Sequence, residues 1–155
     1  MRYAIFALAL LAVSCGRDYG GRPPYPASGK VLVNGEPAKG ALVVLYDGPL
    51  TPDRPVPQAT TGDDGTFVLS TYDPRDGAPA GDYKVSITWR TGRREGAPDR
   101  LNRAYTNAET SGLTAKIEKK TNVLPPFELK VDPAVLKAIE ESAQDQKNLK
   151  THHHK

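Results

Sequence analysis

The stretch GDYKVSITWR, Gly81 to Arg90, decides the fold. Tyr83, Val85, Ile87 and Trp89 share one parity; Lys84, Ser86, Thr88 and Arg90 share the other. Successive side chains of an extended chain point to opposite faces, so this segment is a strand with one buried and one solvated face. A helix would scatter the same apolar positions around its circumference.

Outward from this strand the pattern recurs in short runs between turn residues. Upstream, GKVLVNGEP places Val31 and Val33 on one face and then breaks at Asn34-Gly35, a tight-turn dipeptide. GALVVLY, Gly40 to Tyr46, is apolar on both faces and suits a central strand. QATTGDDGTFVLST reads as two short strands around a turn, with Phe67 and Leu69 pointing one way. Downstream, LTAKIE repeats the alternation through Leu113, Ala115 and Ile117, and FELKV through Phe127, Leu129 and Val131. Pro125 and Pro126 make that last strand start late or lie at an edge. Seven strands result, the count of a β-sandwich, and the expected fold class is all-β with a short C-terminal helix. The 155 residues suffice for one domain, and 14 Gly with 14 Pro exceed the ordinary combined usage of roughly 12 %, as turn-rich β-structure requires.

The expected organisation is a signal peptide over 1–14, a lipidated cysteine and tether over 15–27, the β-domain over 28–132, and a helix with a disordered tail over 133–155. Arg2 and the ten apolar residues AIFALALLAV, Ala4 to Val13, have the layout of a signal peptide and fall short of the ~20 residues of a membrane span. Small residues then precede the single cysteine, Cys15, in AVSC. This resembles the lipobox of bacterial lipoproteins, although Ala12 stands where Leu is commoner. The resemblance implies cleavage before Cys15, a diacylglyceryl thioether on its sulfur, and a membrane partner held through several acyl chains. Gly16, rather than Asp, follows the cysteine, which by the same resemblance leans toward the outer membrane. The alternative is an ordinary secretory signal with an unused cysteine. With one cysteine there is no intrachain disulfide, so the domain is held by packing.

Little in the domain suits catalysis. All three histidines, His152 to His154, lie in the tail, so Ser-His, Cys-His and His-metal chemistry lack a partner. Asp63–Asp64, Asp73, Asp76 and Asp82 fall at turns, with no spacing that sets two carboxylates across a cleft. GDDG offers adjacent carboxylates that splay apart, whereas a calcium loop alternates its ligands; Asp and Gly here are what a reversal of the chain needs. No metal, cofactor or enzymatic activity is expected. The formal charge of +3 is too small to imply nucleic acid, and none is expected as a partner.

SGKVLVNGEPAKGALVVL, ATTGDDGTFVLST and PAGDYKVSITW together resemble the carboxypeptidase-regulatory-like and transthyretin-like β-sandwich domains. Gly29, Val31, Gly35, Pro37, Gly40, Ala41 and Val43 match the first block of that pattern. Thr61, Asp63, Gly65 and Phe67 match the second, with Gly62 as an extra residue, and Gly81, Tyr83 and Val85 the third. YTNAETSGLTAKIEKKTNVLPPFEL is similar to the closing strands of small bacterial lipoproteins of this type. The resemblance implies a transthyretin-like, immunoglobulin-like sandwich in an extracytoplasmic, non-catalytic domain. The histidines and the C-terminal motif of the hydrolytic relatives are missing, as are the iron ligands of the dioxygenase relatives.

What remains as a candidate surface is WRTGRREGAPDRLNR. Its Trp89, Arg90, Arg93, Arg94, Arg100 and Arg103 form the expected ligand or partner loop, set in a long irregular stretch from Thr91 to Gly112. Clustered arginines take carboxylate or phosphate bidentately; equally, they pair locally in a solvated loop. Trp89, with Tyr72 and Tyr105, could offer a sugar platform, although Trp89 continues the buried parity of its strand. Edge strands offer a second surface, by strand addition. The expected function is a lipid-anchored cell-envelope module, interacting with an envelope protein or a glycan. The alternative is a carbohydrate-binding module, and an enzyme comes third.

Overall fold

The computed structural model describes residues 20–49, 54–94 and 96–152. Cys15 and the signal-peptide segment lie outside them. Within them the chain is mostly β, in three sheets, with one C-terminal helix. The strands are β1 (Pro24–Tyr25), β2 (Ala27–Val33), β3 (Glu36–Pro37), β4 (Leu42–Tyr46), β5 (Gln58–Thr60) and β6 (Thr66–Val68), then β7 (Ala78–Pro79), β8 (Gly81–Thr88), β9 (Thr114–Ile117), β10 (Asn122–Val123) and β11 (Phe127–Leu129). The helix α1 spans Pro133–His152.

The alternating segment becomes β8, the longest strand, with Tyr83, Val85 and Ile87 buried. It pairs antiparallel with β4 on one side, Val43 opposite Ile87 and Leu45 opposite Val85, and with β9 on the other, Tyr83 opposite Ala115. With β5 outside β4, this makes a four-stranded sheet in the order β5-β4-β8-β9. The second sheet is built around β2. The amides of Asn122 and Leu124 donate to the carbonyls of Pro26 and Ser28, and Asn34 donates to Leu129. Even-numbered residues of this segment therefore face β10 and β11, which run parallel to β2. Odd-numbered residues face β6 and β3: Leu69 donates to Ala27, Val31 to Gly65 and Ala38 to Val31. The third sheet is the short pair β1–β7.

One core unites these elements. Val31, Val33, Phe67, Leu69, Phe127 and Leu129 come from the sheet around β2, and Val43, Leu45, Val85, Ile87 and Ile117 from the other. The nine largest side chains of this core with less than 2 % exposure are all Leu, Ile or Val, each contributing roughly 1.5–3 kcal/mol. The rings of Phe67 and Phe127 stack at 6.2 Å, over a position that only glycine fits: a Cβ on Gly29 would lie 2.5 Å from Phe67 Cζ.

The strand count is eleven, not the expected seven. The seven expected segments correspond to β2, β4, β5, β6, β8, β9 and β11, and each of the four others (β1, β3, β7, β10) is two residues long. Such pairings carry no periodic signal. Between β10 and β11 the prolines 125 and 126 have no N–H to donate, so one edge splits in two. Ordered pairing also begins at Pro24, ahead of the expected boundary at Ser28, and Ala27 is buried. The two strands around Asp63–Asp64 do not form a simple hairpin: β5 joins the sheet of β4 and β6 that of β2. The turn between them is a corner. Asp64 Oδ1 accepts from the Thr66 amide and hydroxyl, at 3.0 and 2.6 Å, and those bonds hold its carboxyl below the usual carboxylate range. Gly65 adopts φ +76°, and a Cβ there would meet the Val31 carbonyl oxygen at 2.6 Å.

The helix begins as expected. Asp132 Oδ1 accepts from the Ala134 amide at 2.8 Å, and Val135, Leu136 and Ile139 form its half-buried stripe. It runs on to His152, into the stretch expected to be a disordered tail, because Lys147, Leu149 and Lys150 are good helix formers and no Gly or Pro interrupts them.

Candidate functional site

The arginine segment starts where β8 ends. Arg90 bridges to Asp99, Thr91 N–H donates to the Pro98 carbonyl at 2.9 Å, and Arg100 N–H donates to the Trp89 carbonyl at 2.7 Å. An irregular loop was expected; these rungs make a short hairpin instead. One carboxylate pins its base. Asp99 Oδ1 accepts from the Trp89 amide at 2.7 Å and Oδ2 from the Arg103 amide at 3.0 Å. The chain beyond it is tied to the core by Leu101, which is fully buried, and by the Ile87 amide donating to the Tyr105 carbonyl. Tyr105 closes that end of the domain: its hydroxyl donates to the Lys130 carbonyl and accepts from the Lys130 amide.

The five arginines divide by environment. Arg100 lies over the Trp89 ring at 4.9 Å, donates to the Arg90 carbonyl at 2.6 Å and pairs with Glu140 of α1 at 3.0 Å. Arg94 donates to the Gln146 side chain, one to two turns further along the same helix. These two clamp the hairpin to α1. Arg90, Arg93 and Arg103 are exposed, and their guanidinium groups have no hydrogen-bond or ion-pair partner among the described residues. Arg90 stands between two clefts of about 640 and 610 Å³, one also lined by Arg93, Thr60 and Thr91, the other by Arg103, Thr106 and Ile139. Glu95, the remaining acid of the segment, lies outside the described residues.

Trp89 does not present a free stacking face. It is half-buried, its indole N–H donates to the Lys39 carbonyl at 2.8 Å, and Arg100 covers the ring. Tyr72, like Tyr105 a loop aromatic, sends its hydroxyl to the Arg22 carbonyl at 3.1 Å. The turn aspartates also have local duties. Asp76 accepts three backbone amides, from Thr71, Tyr72 and Asp73, and Asp63 pairs with Lys39 at 2.8 Å. Among the described residues no cluster of three or more metal-ligating side chains occurs, and no helix is long and apolar enough to cross a membrane. Cys15 lies outside the described residues, as do His153 and His154.

Two features had no sequence signal. Asp47, just after β4, accepts from both Arg22, 25 positions upstream, and Arg54, seven positions downstream. Beside it Tyr83 is buried, with its hydroxyl on the Pro79 carbonyl at 2.8 Å; burial and the Asp47 charge push its pKa to about 12. A cleft of about 1000 Å³ lies between β9 and the segment 118–128, where Val123 is 81 % exposed.

No family model matches the chain, and no curated protein matches it. A solved structure of a DUF3823 family protein from Parabacteroides merdae is similar at 17 % identity and a TM-score of 0.36, over 72 % of this chain and 47 % of that one. A 9R-lipoxygenase from Cyanothece is similar at 15 % identity and a TM-score of 0.35, over 72 % of this chain and 18 % of the lipoxygenase. This chain thus spans about half the length of the first of these and under a fifth of the second.

Proposed function

We propose that this chain is a non-catalytic interaction module of the bacterial cell envelope, lipid-anchored through Cys15 and extracytoplasmic, with the outer membrane favoured over the inner. Its two larger sheets are read as the faces of a transthyretin-like β-sandwich of the carboxypeptidase-regulatory-like kind. The observation that carries the interaction role is the pinned hairpin after β8. It holds Arg90, Arg93 and Arg103 outward while Asp99 and Glu140, the neighbouring acids among the described residues, are engaged elsewhere. Such an arrangement suits an acidic partner, since guanidinium pairs bidentately with carboxylate and phosphate. A carbohydrate-binding module that stacks a neutral sugar on Trp89 is supported less well, because Arg100 already occupies the ring. The experiment is cross-linking in intact native cells, followed by mass spectrometry of the adducts and metabolic labelling with a palmitate analogue. Adducts on Trp89 to Arg103 and label lost in Cys15→Ala are expected. Recovery of unlabelled protein from the medium would overturn the anchor; adducts elsewhere on the domain would overturn the role of the hairpin.

A further inference from the structure

Four observations at the hairpin converge. First, the free arginines form a ridge: Arg90 lines both clefts, with Arg93 beside one and Arg103 beside the other. A linear polyanion could meet three guanidinium groups in succession. Second, Arg103 has φ +62° and follows Asn102 at φ +50°. Arginine in the left-handed region costs more than glycine would, yet the residue at this turn carries an exposed, unpartnered guanidinium. Third, the ridge lacks the aromatic anchor that dominates protein–protein interfaces, since Trp89 is covered; one cleft offers Thr60 and Thr91 instead, hydroxyls suited to a polyol, while Thr106 in the other donates to the Arg103 carbonyl. Fourth, the ridge and the N-terminal segment lie at opposite ends of β8. Arg22 is held by Asp47, next to Tyr46, which pairs with Lys84, the fourth of the eight residues of that strand, whereas Arg90 follows its end. The six residue steps from Lys84 to Arg90 span roughly 20 Å of extended chain.

We propose that Arg90, Arg93 and Arg103 bind an anionic polysaccharide, taking its carboxylate or phosphate groups one after another along the ridge, beyond the far end of β8 from the site that holds Arg22. The proposal rests on reading the chain as an anchored envelope module, and names the partner class.

The test uses the full chain in detergent micelles. Binding is measured by titration calorimetry against polygalacturonate, neutral dextran and poly-L-glutamate, and by co-flotation with phosphatidylglycerol vesicles. Polygalacturonate should bind, weaken steeply with added salt, and weaken about tenfold or more when Arg90, Arg93 and Arg103 are all changed to Gln. Triple replacement by Lys should restore part of the affinity, because charge returns without the bidentate fork. An unchanged thermal melt shows that the Gln variant folds; should it not, Arg93→Gln alone, at an exposed position, must still weaken binding. No binding to polygalacturonate overturns the proposal, as does equal binding of the Gln variant. Tighter binding to poly-L-glutamate points to an acidic protein, and arginine-dependent flotation with vesicles points to a lipid surface; either result also overturns it. Palmitate labelling in cells reports on the anchor independently, so a failed anchor and a failed glycan site remain distinguishable.

Discussion

Replacing Leu101 by Ala tests whether the arginine hairpin is part of the folded core. Leu101 has 0 % exposure and belongs to the same apolar cluster as Ile87 and Val85, although it lies in the segment between β8 and β9. The change removes three carbons, about 2.4 kcal/mol at roughly 0.8 kcal/mol for each buried methylene. The cavity left behind adds to this, as buried Leu→Ala changes cost about 2.7–5 kcal/mol where the surroundings relax only partly. A loss of about 3–4 kcal/mol is expected, a large share of the ~5–15 kcal/mol typical of a domain. Urea denaturation followed by circular dichroism measures it, as a midpoint lowered by about 1–3 M. Hydrogen exchange supplies the local readout. The Ile87 amide, bonded to the Tyr105 carbonyl, and the Trp89 amide, bonded to Asp99, should lose protection before the Val43 amide in β4 does. A cost below about 1 kcal/mol, with protection unchanged, would refute the reasoning: the segment would then be a surface loop, and its arginines would not be held in place.

Three further outcomes follow from the same geometry. Arg103→Gly should stabilise the domain by about 0.5–1 kcal/mol, because glycine relieves the positive φ at a modest cost in unfolded-chain entropy, while weakening polygalacturonate binding; a thermal melt and a titration separate the two effects. Arg100→Ala should red-shift the emission of the single tryptophan and make it more accessible to acrylamide, since the cation now lies over the ring and bridges to Glu140. Tyr83 gives an alkaline signature. Burial raises its folded pKa to about 12, against ~10 in the unfolded chain, so between these values the unfolded chain releases a proton that the folded one keeps. Its contribution is present in full below pH ~10 and is lost as pH rises toward 12, and a pH series of denaturation curves on Tyr83→Phe should lack that part of the decline.

Much of the β-structure was legible because its signal is local. Tyr83, Val85 and Ile87 alternate with polar residues, and alternation is a property of ten consecutive letters. The same holds for Phe67 and Leu69, for Ala115 and Ile117, and for the turn residues Asn34-Gly35 and Asp64-Gly65. The two-residue strands were not legible, since a ladder of two rungs exists only through its partner: nothing in Asn122-Val123 announces that it lies beside Ala27-Ser28. The hairpin was legible as a cluster of arginines and no further. The same five residues split into two clamped and three free groups through contacts made by Asp99, Glu140 and Gln146, of which the last two sit about forty to fifty positions downstream.

The sequence by itself determined where the seven longer strands form, which face of most of them is apolar, which cysteine is available, and which segment concentrates positive charge. These follow from side-chain periodicity and composition, which act over a few residues. Tertiary structure alone decided that Leu101 is core, that Trp89 is a structural ring beneath Arg100, and that the N-terminal segment and the arginine ridge occupy opposite ends of β8. Those facts arise from burial and pairing between distant segments. A guanidinium is committed or free according to which acid the fold brings within hydrogen-bonding reach, and that distance is set by packing of the whole chain rather than by neighbours in sequence.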